Sequence, residues 1–505
     1  MAPPNYSTIT ETHSVNSDEL CTLQEKHDHF QRASRRLITV EPILILINLV
    51  QGALVTLRYQ YIEHRLADQN NYTLPTGKNS CASQDETDRN IEDQTSLWVT
   101  GMKDMSVFPP IVVALVLGAA SDFVGRRPMF IINASGHFLG SVLFLCVAIF
   151  KLPLPLLIVG ELMLGLAGDA VFTAIIAEAY VADIYSGKAR TYRLVIIDAV
   201  ILFSFGIIQF GIDEILQNTG INFILVYGIT VGLALLNLLY TITPCLLLET
   251  VKRRPFPRGV LKELALNILS LFGRSHAGRR WRLSLCLAIA CLWTLIFEAV
   301  GGNIIIYGLS PPFCWSPEIV GAYGAIINAL PAVVSIVAVP VLRLCMSTFW
   351  MVYIGFASGI GYMIATALSP TNIWLAYIAP TIGMFLLVPL PIAKTKCSEQ
   401  VGENEQGAVF GCLAVVISLA RFISPILLNG ILATELKKPK GQRHPNVTYY
   451  AAAGILLLPI MINAFLHITQ PKVNDYKRLE DSTVCPEERG YDACCDEKDL
   501  LNKRN

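Results

Sequence analysis

Charge is what this chain has least of. Only 15% of its 505 residues are Asp, Glu, Lys or Arg and 53% are hydrophobic, where soluble domains carry about 25% charged residues. That excludes an ordinary soluble domain and leaves a chain that crosses a bilayer many times. The two signs cancel, 39 basic against 39 acidic residues, so there is no electrostatic ground for a nucleic-acid partner. Cysteine is plentiful at 13, yet no spacing suits a metal, and most are read as small core residues. No Gly-rich nucleotide loop and no catalytic constellation occur, which disfavours ATP-driven transport and enzyme chemistry and implies no cofactor. No cleavable signal peptide is visible. Residues 1–37 are polar, and the first apolar run, after Arg35 and Arg36, is expected to act as an uncleaved anchor.

A span needs about 20 apolar residues, and twelve runs qualify: 38–57, 95–120, 128–150, 154–176, 194–213, 222–247, 283–308, 317–342, 349–369, 372–393, 407–432 and 448–469. The loops at 214–221, 309–316 and 370–371 have no Lys or Arg, whereas Arg35, Arg36, Arg126, Arg127, Lys188, Arg190, Arg193, Arg279 and Arg280 share the other side. The positive-inside rule then places both termini in the cytosol. Lys437, Lys438, Lys440 and Arg443 dissent and are outvoted. The expected organisation is a cytosolic tail (1–37), a six-helix half (38–247) with a polar outer loop (58–94), a basic cytosolic linker (248–282), a second six-helix half (283–469) and a cytosolic tail (470–505). Residues 58–94 include the sequon Asn71-Tyr72-Thr73, so a glycan is expected on Asn71.

Between the second and third runs stands Gly118-Ala-Ala-Ser-Asp122-Phe-Val-Gly125-Arg126-Arg127. Gly125 allows a tight turn. Asp122 lies where a cation or a helix N-terminus can pair with it. This resembles the signature loop of the major facilitator superfamily. The resemblance implies an all-α membrane protein of twelve spans in two pseudo-symmetric six-helix halves, with binding between the halves near the midplane.

Other segments resemble one branch: Val40-Glu41-Pro42, Gln60-Tyr61, Gly168-Asp169, Ala182-Asp183, Lys188-Ala-Arg190-Thr-Tyr-Arg193, Pro312-Phe-Cys314-Trp315, and Ser398, Val401 and Glu405-Gln-Gly407. Together they look like solute carrier family 46, the proton-coupled folate transporter and its lysosomal relatives. The resemblance implies proton-driven solute uptake. It places the fifth-span coupling carboxylate on Asp198, the tenth-span basic residue on Lys394, the fourth-span aspartate on Asp169, and a further aspartate on Asp183. Phe297 stands where the folate carrier has a histidine, with Glu298 beside it. Cys81 and Cys314 are the two cysteines in clear outer loops. An oxidising compartment would favour their pairing, and the resemblance implies that bridge.

Ionisable groups inside spans are costly and are functional candidates by default. Asp198, one turn into the fifth span, is read as a proton carrier or as a helix-end partner of Arg193 or Lys394. Glu298, mid-span, is read as a second titrating group or as the structural partner of a base elsewhere. Arg421 interrupts the eleventh span; its planar fork suits an anionic solute or a salt bridge to Glu298 or Asp198. Asp122, Arg126 and Arg127, echoed by Arg190 and Arg193, read as a conformational latch. Lys103 and Asp104 read as structural. The C-terminal tail carries Tyr476-Lys-Arg-Leu479 and Asp496-Glu-Lys-Asp-Leu-Leu501, which resemble adaptor-read sorting signals, so clathrin adaptors are expected partners and the lysosomal, endosomal or plasma membrane the location. The expected function is proton-coupled symport of a small organic anion; a non-transporting scaffold and a proton-driven drug exporter are the alternatives. The fifth span lacks the Pro of exporter motifs.

Overall fold

The computed structural model describes residues 40–72, 86–185, 187–220, 222–244, 246–251, 279–309, 313, 315, 317–401, 405–431, 434 and 446–469. Cys81, Cys314, both tails and most of the expected linker lie outside these. In chain order the helices are α1 (Glu41–Gln69), α2 (Glu86–Val124), α3 (Arg126–Phe150), α4 (Pro155–Leu166), α5 (Asp169–Ile184), α6 (Gly187–Asn218), α7 (Phe223–Ile242), α8 (Arg279–Leu309), α9 (Pro317–Cys345), α10 (Thr348–Leu368), α11 (Trp374–Ile382), α12 (Pro389–Glu399), α13 (Gln406–Ser424), α14 (Val447–Ile455) and α15 (Leu457–Ile468). The chain divides into two compact units, Met1–Asn463 and Ala464–Asn505. Of the second, only the last turn of α15 and Thr469 are described; the site below lies in the first.

Ten helical stretches are long and apolar enough to cross a membrane, with α4–α5 and α14–α15 each counted as one. An eleventh is α2, bent by 40° near residue 115. The expected tenth span, 372–393, is instead two short helices, α11 and α12, separated by a turn over 383–388. Pro380 lies inside α11 and Pro389 and Pro391 open α12; rings that remove donors and clash with the preceding turn keep the two from joining.

Hydropathy misplaced several helix ends, because it marks the hydrocarbon and not the helix. The first helix runs past residue 57 to Gln69, and the second begins at Glu86 rather than 95. Of the expected outer loop 58–94, residues 58–69 and 86–94 are helical. The fourth span continues to Ile184 and the fifth helix begins at Gly187. Polar helix ends stay helical beyond the bilayer because their backbone bonds are already made within the helix.

The first half (α1–α7) meets the second (α8–α15, as far as Asn463) along two main seams, α2 against α13 and α6 against α9, with α5–α13 and α6–α12 adding to them. At the first seam the chains touch through glycines: a Cβ on Gly118 would lie 2.8 Å from the Gly411 Cα. The two helices can approach this closely because neither has a side chain there.

Candidate functional site

Three layers of charge run through the first unit, from the end bearing Arg126 and Arg127, here the basic end, toward the opposite, far end.

At the basic end, Gly125 takes φ +107° between α2 and α3, a conformation that suits glycine. A Cβ there would collide with the Glu249 carboxylate. Glu249 accepts from the Arg126 amide at 2.7 Å and the Arg127 amide at 3.1 Å, satisfying the free N–H groups of α3. Arg126 is fully buried. Its guanidinium lies 2.8 Å from Asp122 and 2.9 Å from Asp183. Asp122 also crosses to the other half, accepting from the Gly407 and Ala408 amides at 3.0 and 3.1 Å. These amides open α13, so the carboxylate meets the positive end of that helix. Arg190 donates to Ser398 Oγ at 2.9 Å, and Arg343 to the Lys188 carbonyl at 3.2 Å. Both bonds join the halves. Arg193 lies apart from this lattice, 2.8 Å from Glu41, and ties α6 to α1. Arg127 donates to the Thr241 carbonyl at 3.2 Å, anchoring α3 to the end of α7.

The next layer is a buried triad. Lys394 Nζ lies 2.5 Å from Glu178 Oε1 and 2.6 Å from Asp198 Oδ1. All three side chains are buried. Lys394 comes from α12 and the carboxylates from α5 and α6, so the triad also spans the halves. Two carboxylates and one ammonium leave a net charge of −1, which one proton cancels.

The third layer is central. The fourth span breaks at Ala167 and Gly168, with Gly168 at φ +100° and Asp169 at φ +56°. The break frees carbonyls, and Asn133 covers two, donating to Ala167 O at 3.1 Å and Asp169 O at 2.9 Å. Thr173 Oγ1 in turn donates to Asn133 Oδ1 at 2.5 Å. The break turns the Asp169 carboxylate toward α1, α3 and α13. Gln51 donates to its Oδ1. Gln51 also lies 3.0 Å from His137 Nε2, whose Nδ1 lies 3.0 Å from the Asn133 carbonyl. This pattern suits a neutral imidazole with its proton on Nδ1. Arg421 Nη1 lies 3.5 Å from Asp169 Oδ2, and Arg421 Nε 3.1 Å from Glu298 Oε1. Arg421 and Glu298 remain 24% and 26% exposed, although the basic end is closed by buried groups. Beside it Phe297 stacks on Trp293 at 4.7 Å. Next to this layer a buried pair, Arg58 and Glu161, joins α1 to α4 at 2.9 Å.

The structure thus brings Asp169, Glu298 and Arg421 together, and separately Asp198 and Lys394. Arg421 does not meet Asp198, one of its two expected partners. Sequence reasoning missed Glu178, two residues beyond its fourth span, and Arg58, one beyond its first. It also passed over Glu161 and His137, although both interrupt apolar runs and were visible as ionisable groups inside spans.

The model of the Major Facilitator Superfamily matches residues 87–425. A proton-coupled folate transporter from Bos taurus is 28% identical over 436 residues, 85% of this chain and 91% of that one. The human lysosomal proton-coupled steroid conjugate and bile acid symporter SLC46A3 is 24% identical over 461 residues, 88% of this chain and 97% of that one. Among solved structures, the human organic anion transporter MFSD10 (TETRAN) superposes with a TM-score of 0.65 at 16% identity, over 84% of this chain and 97% of that one. The E. coli fucose:proton symporter FucP gives 0.54 at 12%, over 83% and 98%. These last two share the fold. The chain is a multi-pass membrane transporter of the major facilitator superfamily and, within it, belongs with solute carrier family 46.

Proposed function

We propose that this protein is a proton-coupled symporter that carries a small organic anion from the far side to the basic side by alternating access, with the proton as coupling ion. The observation that carries the reading is Arg421, a permanent cation between Glu298 and Asp169 in a partly exposed central site. A proton on Glu298 releases one of its two counter-charges, and the solute's anionic group takes that place. Proton and anion are thereby coupled without touching each other. The names of the relatives agree in chemistry: folate, and conjugated steroids and bile acids. The bonds that join the halves at the basic end fit a state closed on that side and accessible from the other. In proteoliposomes with the far side at pH 5.5 and the basic side at pH 7.5, an anion panel of folate, a sulfated steroid and taurocholate should include at least one solute that accumulates. Accumulation should collapse when a protonophore removes the gradient. Equal uptake with and without the gradient would reject proton coupling.

The reading includes sidedness. The basic end faces the cytosol, and the far end faces the lumen or the outside. Asn71 follows α1 at the far end, exposed and at φ +50°. It should carry the glycan, and Asn71→Gln should abolish the mobility shift on glycosidase treatment. A shift that survives places the sugar elsewhere and reopens the orientation.

A further inference from the structure

Lys103 is a charged side chain near the central layer that the transport reading leaves unused. On α2 it continues a stripe through Val107, Pro110, Ala114 and Gly118, steps of three and four that keep one helix face. Val107, Pro110 and Ala114 are buried, and Gly118 is the point where α2 touches Gly411 of α13. The face that seals the halves at Gly118 therefore presents Lys103 further along, and there the side chain is exposed. It is not exposed to lipid alone: the Lys103 ammonium feels the charges of Glu298, Arg421, Arg58 and Asp104, which come from α8, α13, α1 and α2. Lys103 is thus exposed beside the charged layer that spans the two halves.

Helix arithmetic places it. Lys103 lies 15 residues from the Gly118 contact, about 22 Å along α2, and Arg421 lies 10 residues from Gly411, about 15 Å along the antiparallel α13. Even with the 40° bend of α2 between Lys103 and Gly118, Lys103 stands farther toward the far end than Arg421. Glu298 is engaged by Arg421, whose Nε lies 3.1 Å from its Oε1. Arg58 and Glu161 pair with each other at 2.9 Å. No carboxylate comes within ion-pair distance of Lys103 Nζ among the described residues.

We propose that Lys103 is a second anion-binding point of the solute site, which makes the protein selective for solutes carrying two negative groups. The proposal rests on the anion-site reading of Arg421. One anionic group sits at Arg421 and the other at Lys103. The half-buried ring of Phe297, neighbour of Glu298, offers an apolar surface beside the first. Ammonium suits this outer position: it is a flexible point charge that keeps its water until an anion replaces it.

The test uses full-length protein in proteoliposomes and two matched probe pairs: pteroate with folate, and taurolithocholate with its 3-sulfate. In each pair the second member carries one more negative charge on the same scaffold. Wild-type protein should take up the dianion about tenfold better than the monoanion in at least one pair. Lys103→Gln should bring that ratio to about one, and Lys103→Arg should restore most of it. No preference for a dianion in either pair, or a preference kept by Lys103→Gln, overturns the proposal. Arg421→Gln separates the two claims. If it leaves uptake of all four probes intact, the anion-site reading fails at its root. If it removes uptake while the Lys103→Gln ratio matches wild type, only the second point fails.

Discussion

Arg421→Gln should abolish anion uptake while the protein still reaches its membrane. Once the solute's anionic group displaces the water around Arg421, removing one partner of that charge pair costs about 2–5 kcal/mol, and each 1.4 kcal/mol is about tenfold, so a loss of about 30-fold to a few thousand-fold is expected. Two effects contribute to it. The solute loses its fixed counter-charge, and Glu298 and Asp169 lose the cation that stands between them. The second effect threatens folding, and a further variant separates the two. Arg421→Gln with Glu298→Gln removes one cation and one anion together, which should return abundance toward wild type and leave uptake absent. Arg421→Lys should recover only part of the activity, because an ammonium lacks the planar fork that reaches Glu298 through Nε and Asp169 through Nη1 at once. The measurement is initial uptake of a labelled anion per molecule of surface-counted protein. Wild-type uptake by Arg421→Gln at equal abundance would remove Arg421 from the solute site.

The parts of this site legible in the sequence are those whose partners are near in the chain or set by helix ends. Gly125 announced its turn, and Asp122 its pairing with a cation or a helix N-terminus, because the loop between α2 and α3 fixes both locally. Asp198, Glu298 and Arg421 announced themselves as charges inside apolar runs. Which charge meets which was legible only as alternatives, Asp198 with Arg193 or Lys394 and Arg421 with Glu298 or Asp198. Lys394 is 216 residues from Glu178 and 196 from Asp198, and no local pattern encodes a pairing over that distance. Glu249 shows the same limit: nothing around it in sequence says that it caps a helix 123 residues earlier. Arg58 was lost for another reason. The expected first span ended at residue 57, where charged and polar residues become frequent, yet an arginine can stay buried when a carboxylate such as Glu161 waits across the helix interface. Lys103 and Asp104 were read as structural because each was expected to pair with the other's neighbours. Neighbours in a helix point about 100° apart, and only the stripe leading to Gly118 shows which way Lys103 faces.

The largest effect of all is expected in the triad. Glu178 and Asp198 share the single ammonium of Lys394 in a dry interior. With both carboxylates ionised the cluster carries −1, and with one proton it is neutral; a proton-driven cycle needs such a two-state group. Asp198→Asn leaves Lys394 paired one-to-one with Glu178, and Glu178→Gln leaves it paired one-to-one with Asp198. Each single amide fixes the cluster near neutrality and mimics the protonated state. Both should therefore keep abundance and exchange of solute across the membrane, and both should lose accumulation driven by an acidic far side. Wild-type accumulation should rise as that side acidifies, because protons load the cluster from there; in either amide variant this dependence should flatten. The double variant Asp198→Asn with Glu178→Gln is different in kind. It strands a buried ammonium without a counter-charge, which costs about 3–5 kcal/mol, a large part of the ~5–15 kcal/mol that keeps a typical protein folded. Its abundance should fall sharply, and adding Lys394→Met should restore it, since the site then holds no charge at all. Gradient-driven accumulation in both single variants would show that the proton is carried elsewhere, with Glu298 and Asp169 as the remaining carboxylates in the path. A stable double variant would show that Lys394 finds another partner, and the triad would not be the charge-balanced unit that its distances describe.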